Sequence, residues 1–180
     1  MINIFVGFIF VFFKTNLSFL DSGSTYYMTN LIGYISILFG IIELGSTNER
    51  LLKVKPYVMI MIAHSFIFFF LNITGKSPLT MPLSTSFAVI IAYGGLLLIV
   101  AGMFIIFAII SELLDDLNSK KNNKLLYNLI NIMILLFILA GISAYFNTFA
   151  TTIMGTLLLL EVLFLISYYY VFLSKSEQYT

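Results

Sequence analysis

The sequence predicts an all-α protein, a polytopic transmembrane helix bundle of six spans, and three observations carry that reading. The chain is 61% hydrophobic and 9% charged, against about 25% charged in ordinary soluble domains, so it lacks the polar surface to cover a water-soluble globule. Its apolar residues fall into runs of about 20, the number that crosses a hydrocarbon layer ~30 Å thick. The runs are continuous, not alternating, which disfavours the ten-residue strands of a membrane barrel and favours helices, whose backbone groups pair within one segment in lipid. The 180 residues then form one integral membrane domain whose core is the bundle itself.

The first predicted span, Ile2 to Leu20, has its apolar run interrupted at Lys14. It reads either as a tilted helix whose Lys14 snorkels outward or as a shorter interfacial segment. No Lys or Arg precedes this run and no small-residue cleavage site follows it, so it is expected to be retained and not removed as a secretory signal. The second span, Met28 to Leu44, and the third, Pro56 to Ile73, flank a loop with Arg50, Lys53 and Lys55. The fourth, Leu83 to Ile110, is expected to run on through Glu112, Asp115 and Asp116 into a cytoplasmic helical extension and loop over Ser111 to Lys124, where Asp116 and Lys120 stand at i, i+4 spacing for as long as the helix continues. The fifth, Leu126 to Phe146, and the sixth, Thr151 to Leu173, complete the set.

Basic residues in short loops collect on the cytoplasmic side. Arg50, Lys53, Lys55, Lys120, Lys121, Lys124 and Lys175 all fall on one side of the six-span arrangement, with Lys76 opposite. Both termini are therefore expected in the cytoplasm. Heavy use of Ile, Phe, Asn, Lys and Tyr suggests an AT-rich genome and a bacterial cytoplasmic membrane. The formal net charge of +1 gives no electrostatic case for nucleic acid.

Close helix packing in lipid relies on small residues. Ala88, Gly95 and Gly102 recur every seven positions in the fourth span, Gly33, Ser36 and Gly40 share the second, and Ala140 and Ala144 lie four apart in the fifth. These three helices are expected to form the packed centre, within one chain or against a second copy.

Glu161 is the outstanding polar residue, a carboxylate midway along the sixth span. A charge at that depth costs roughly 2.5 kcal/mol or more on insertion scales, so the acid should face the bundle and be protonated or paired. It reads as a proton-coupled carboxylate or as a neutral acid bonded to a neighbouring helix. His64, mid-way along the third span, offers a second polar group at similar depth, either as a partner of Glu161 in a proton relay or as an interhelical hydrogen-bond donor. Lys14 could pair with a carboxylate or snorkel to the interface. Glu43, on the small-residue face of the second span, reads as a loop anchor. Tyr168, Tyr169 and Tyr170, with Tyr26 and Tyr27, fit an interfacial aromatic belt.

Several enzyme classes lack their residues. Zero cysteines remove thiol chemistry, and a single histidine excludes bis-histidine haem ligation within the chain. There is no GxxxxGK[ST], HExxH or GxSxG. Neither a cofactor nor a metal site is expected, and the chain reads as non-enzymatic.

From Asn30 to Pro56 the chain carries Asn30-Leu31-Ile32-Gly33-Tyr34-Ile35, then Gly40, Glu43-Leu44 and Lys53-Val54-Lys55-Pro56. This stretch resembles a pattern in small, uncharacterised polytopic membrane proteins of Gram-positive bacteria. The resemblance implies a membrane class and carries no activity or site residue. The expected role is an accessory or interaction component that meets lipid and a membrane-protein partner or a second copy. The alternative is a small secondary transporter or channel in which Glu161 takes up and releases a proton, His64 assists, and Lys14 or Glu43 sets the field along the path.

Overall fold

A computed structural model describes residues 1–15, 17–18, 23–117, 124–146 and 149–173. Helices make up the regular structure throughout, with no strand among the described residues. They are α1 (Ile2–Phe12), α2 (Ser24–Gly45), α3 (Lys55–Ile73), α4 (Ser86–Leu117), α5 (Lys124–Tyr145) and α6 (Ala150–Tyr168), with a 3₁₀ turn at Glu49–Val54 and a π-helical turn at Tyr169–Leu173. Five helical segments are long and apolar enough to cross a membrane; α1 is apolar but has 11 residues, a rise of about 16 Å. The expectations for Lys120, Lys121 and Lys175 and for the Asp116–Lys120 pair lie outside the described residues.

Of the two readings of the first segment, the helix observed is the shorter one. Its helix ends at Phe12, and Phe13 turns extended at φ −67°, ψ 121°. Continuing the helix would carry the polar pair Lys14-Thr15 up a lipid-crossing rod. The extended backbone instead lets Lys14 reach a carboxylate on α6.

Each helix packs on its neighbours in sequence, and α1 on α6 closes the six into a ring. One end of the ring is tied together by polar contacts. Asn3 Nδ2 donates to Glu43 Oε2 at 3.1 Å, Asn48 Nδ2 donates to the Asp116 carbonyl at 2.9 Å, and the Tyr127 hydroxyl donates to the Asp115 carboxylate. Asn48 also caps the 3₁₀ turn, its Oδ1 accepting from the Arg50 amide at 3.2 Å. Arg50, Lys53, Lys55 and Lys124 belong to this end. Lys76 lies at the other, just past the close of α3, where Gly75 takes φ +67° and the Lys76 and Gly75 amides donate to the carbonyls of Leu71 and Asn72. That pairing is a Schellman stop, which uses glycine because its left-handed residue carries no Cβ.

Small residues set the closest approach in the ring. A Cβ on Gly33 would lie 2.6 Å from Val11 Cγ2 and 2.8 Å from the Gly7 carbonyl, so α1 and α2 touch backbone to backbone. Ser36 Oγ donates to the Asn3 carbonyl at 2.7 Å, and Gly40 receives Ile4. On its other side α1 meets α6 through rings: Phe8 packs edge-on against Phe164 and Tyr168, and Phe12 against Phe164.

The expected packed centre of three glycine- and alanine-bearing helices is accordingly corrected. The face of α2 serves α1, while Gly95 and Gly102 of α4 receive Pro78 and His64. Ala88 is half-buried, Ala140 is buried and Ala144 is exposed. Small residues mark where one backbone must come near, and each stripe here has a different neighbour.

Candidate functional site

The centre of the ring holds an ion pair. Lys14 Nζ lies 3.5 Å from Glu161 Oε1, with the two side chains 12% and 4% exposed. Glu161 comes from the middle of α6, on the face that also buries Met154, Leu157, Phe164 and Tyr168, so helical periodicity turns it inward. Lys14 comes from the extended chain just after α1. A lysine within the helix would be fixed to one face. The break frees it to cross to α6.

Beside the pair is a cavity of about 30 Å³, lined by Glu161 and Lys14 together with Ser18, Tyr26, Tyr34 and apolar groups of α4 and α5. That space admits a water or two. Glu161 Oε2 is buried and has no hydrogen-bond partner among the described residues, so one oxygen meets the ammonium and the other remains available for a water or a proton.

His64 is placed elsewhere. Its Nε2 is 3.0 Å from the Leu98 carbonyl on α4, and its ring packs over Gly102 and beside Phe68, with centroids 4.6 Å apart. It is absent from the cavity that Glu161 lines. The expected alternative in which His64 serves Glu161 is thus not assembled, because α3 turns His64 towards α4 while Glu161 faces the α1 side of the ring. Glu43 stands at the end of the ring and accepts from Asn3.

The aromatic belt also needs revision. Tyr27 and Tyr168 are buried, at 1% and 0% exposure, while Tyr169 and Tyr170 are exposed. Tyr168 stacks against Phe5, meets Phe172 at a tilt and belongs to the core. Sequence reasoning missed Gly7, Asn3 and Tyr34 as site-builders. Gly7 stands alone in the short α1 without a second small residue to mark a stripe, and nothing about Tyr34 separates a cavity wall from an ordinary span residue.

Among the described residues no group of three or more His, Cys, Asp or Glu gathers as a metal site would require. Comparison with known family models, curated proteins and solved structures finds no match to this chain. The lumen pair and the polar contacts of the ring are therefore what a functional reading has to build on.

Proposed function

We propose that this is a non-enzymatic multi-pass protein of a bacterial cytoplasmic membrane, with both termini cytoplasmic, acting as an accessory component that contacts a membrane-protein partner or a second copy. The observation that carries this reading is the Lys14–Glu161 pair in a cavity of about 30 Å³. A charge mid-way along a span is normally a functional group, but here it already has a cation, and the space beside it suits water and no larger substrate. Its work on this reading is to hold the half-length α1 in the ring and give the bundle one arrangement. The resemblance of Asn30 to Pro56 to small polytopic proteins of Gram-positive bacteria supports the location.

A second reading draws on one specific observation, the unpartnered Glu161 Oε2 on that cavity. A carboxylate with one oxygen open to water is what a proton carrier needs, with Lys14 as the cation that is released when the acid is neutralised.

Proton flux separates the two. The purified protein is reconstituted into sealed vesicles containing a pH-sensitive dye, and a pH step is applied with and without valinomycin. The accessory reading expects leak equal to that of empty vesicles for both the parent and Glu161→Gln. Flux in the parent that Glu161→Gln abolishes, with reconstituted yield unchanged, overturns it in favour of the carrier.

A further inference from the structure

Between α3 and α4 runs a groove of about 560 Å³ whose wall is almost wholly apolar, formed by residues such as Ile60, Ile67, Phe68, Ile91 and Leu98. That size lies within the roughly 300–1,000 Å³ of small-molecule sites. Ile60, Ile67, Ile91 and Leu98 are each more than two-fifths exposed, so the groove opens outward from the ring. On helices of membrane-crossing length, outward is towards lipid. Gly94 widens it: a Cβ there would meet nothing within 4 Å.

One polar side chain lines this wall. His64 is the tenth of the 19 residues of α3, at the middle of the helix. Its Nε2 bonds to the Leu98 carbonyl at 3.0 Å. A carbonyl can only accept, so Nε2 carries the proton, and a neutral imidazole then presents Nδ1 as a lone-pair acceptor. The Leu98 bond is the one hydrogen bond His64 makes among the described residues, which leaves Nδ1 open. Phe68 and Gly102 hold the ring in place. An anchored acceptor in an apolar groove, at a depth where water is scarce, favours a ligand that brings its own donor.

We propose that this groove binds a neutral long-chain lipid whose single hydroxyl donates to His64 Nδ1. The chemistry selects that class. A charged head group would have to leave the interface to reach the middle of α3, whereas an uncharged alcohol on an alkyl or isoprenoid chain can sit at that depth. The apolar wall takes the chain, and the imidazole takes the hydroxyl. A saturated chain without a donor would fill the volume and leave His64 unsatisfied, which costs the bond that distinguishes this ligand from surrounding lipid.

The test uses the full chain in phosphatidylcholine vesicles with a diazirine-bearing hexadecanol, and its methyl ether as the probe without a donor. Photolabelled peptides of α3 and α4 are quantified by mass spectrometry. The alcohol is expected to label the stretch around Ile67 and Leu98 about fivefold more than the ether, the factor that one net hydrogen bond gives. His64→Phe keeps a ring over Gly102 and should erase the preference. Gly94→Leu grows into open space, so the fold tolerates it, and it should reduce labelling by both probes. Equal labelling by alcohol and ether in the parent protein overturns the proposal, because the groove then holds ordinary boundary lipid. Crosslinks between α3 segments of two copies, with the groove unlabelled, overturn it in favour of a dimer face.

Discussion

Lys14 and Glu161 join the chain just beyond a half-length helix to the middle of a full-length one, Nζ to Oε1 at 3.5 Å, in the lumen of a six-helix ring. Removing one partner of a buried pair strands the other charge and typically costs about 3–5 kcal/mol, whereas replacing both by apolar groups is often near neutral. Glu161→Leu and Lys14→Met are each expected to lower unfolding free energy towards the bottom of that range, since Lys14 is 12% exposed and can turn outward. The double variant should recover at least half of the summed loss. Reversible unfolding in mixed micelles gives the three values, and strictly additive losses would show that the two side chains do not act as a pair.

The α1–α2 contact makes a steric prediction. A Cβ on Gly33 would collide with Val11 Cγ2 at 2.6 Å and the Gly7 carbonyl at 2.8 Å, and the second of these is backbone that cannot rotate away. Gly33→Val should therefore cost about 1–3 kcal/mol as overpacking. Gly94→Ala is the matched control, since its Cβ meets nothing within 4 Å, and better helix propensity should leave it neutral or up to about 1 kcal/mol more stable. Thermal midpoints of the two variants in one detergent decide it. A Gly33→Val variant as stable as Gly94→Ala would show that the approach of α1 to α2 does not exclude a side chain at Gly33.

How much of this was legible in the sequence can be traced residue by residue. Long apolar runs announced α2 to α6 because crossing length and hydropathy are properties of a single segment. Glu161 was conspicuous for the same reason, as one charge in an apolar stretch. Its partner was not, because Lys14 reads equally well as a snorkelling side chain, and choosing between them needs the position of α6 relative to the end of α1. The halt of α1 at Phe12 was hidden too: Phe13 is as apolar as its predecessors, and the contact that accompanies the extended backbone, Lys14 to Glu161 on α6, joins residues far apart in the chain. His64 and Glu161 share a depth, which sequence shows, but face different parts of the ring, which follows from helix rotation about an axis and is weakly encoded when every face is apolar.

Glu43 supplies a test of hydrogen bonding against charge. It accepts from Asn3 Nδ2 at 3.1 Å at an exposed end of the ring, where solvent weakens any ionic contribution. Glu43→Gln keeps an acceptor oxygen and should be nearly silent. Glu43→Leu and Asn3→Leu should each lose the bond and lower stability by less than about 1 kcal/mol, the scale of such contacts between membrane helices. Chemical denaturation of the four proteins compares them directly. A Glu43→Gln loss as large as that of Glu43→Leu would point to charge as the working property.

The two ends of the ring give a prediction about sidedness that the absence of cysteine makes clean, because each introduced thiol is then the single one in the chain. Lys53 lies in the turn that leads into α3 and Lys76 just after its Schellman stop, both exposed. The 19 residues of α3 between them rise about 28 Å, close to the thickness of a hydrocarbon core. The basic residues Arg50, Lys53, Lys55 and Lys124 share the Lys53 end, which the positive-inside bias places in the cytoplasm. In sealed right-side-out vesicles a membrane-impermeant maleimide should therefore label Lys76→Cys at once and Lys53→Cys after permeabilisation. The reverse order would invert the proposed orientation while leaving the ring intact. Labelling of both before permeabilisation would mean that α3 does not cross, and the membrane arrangement built on it would fall.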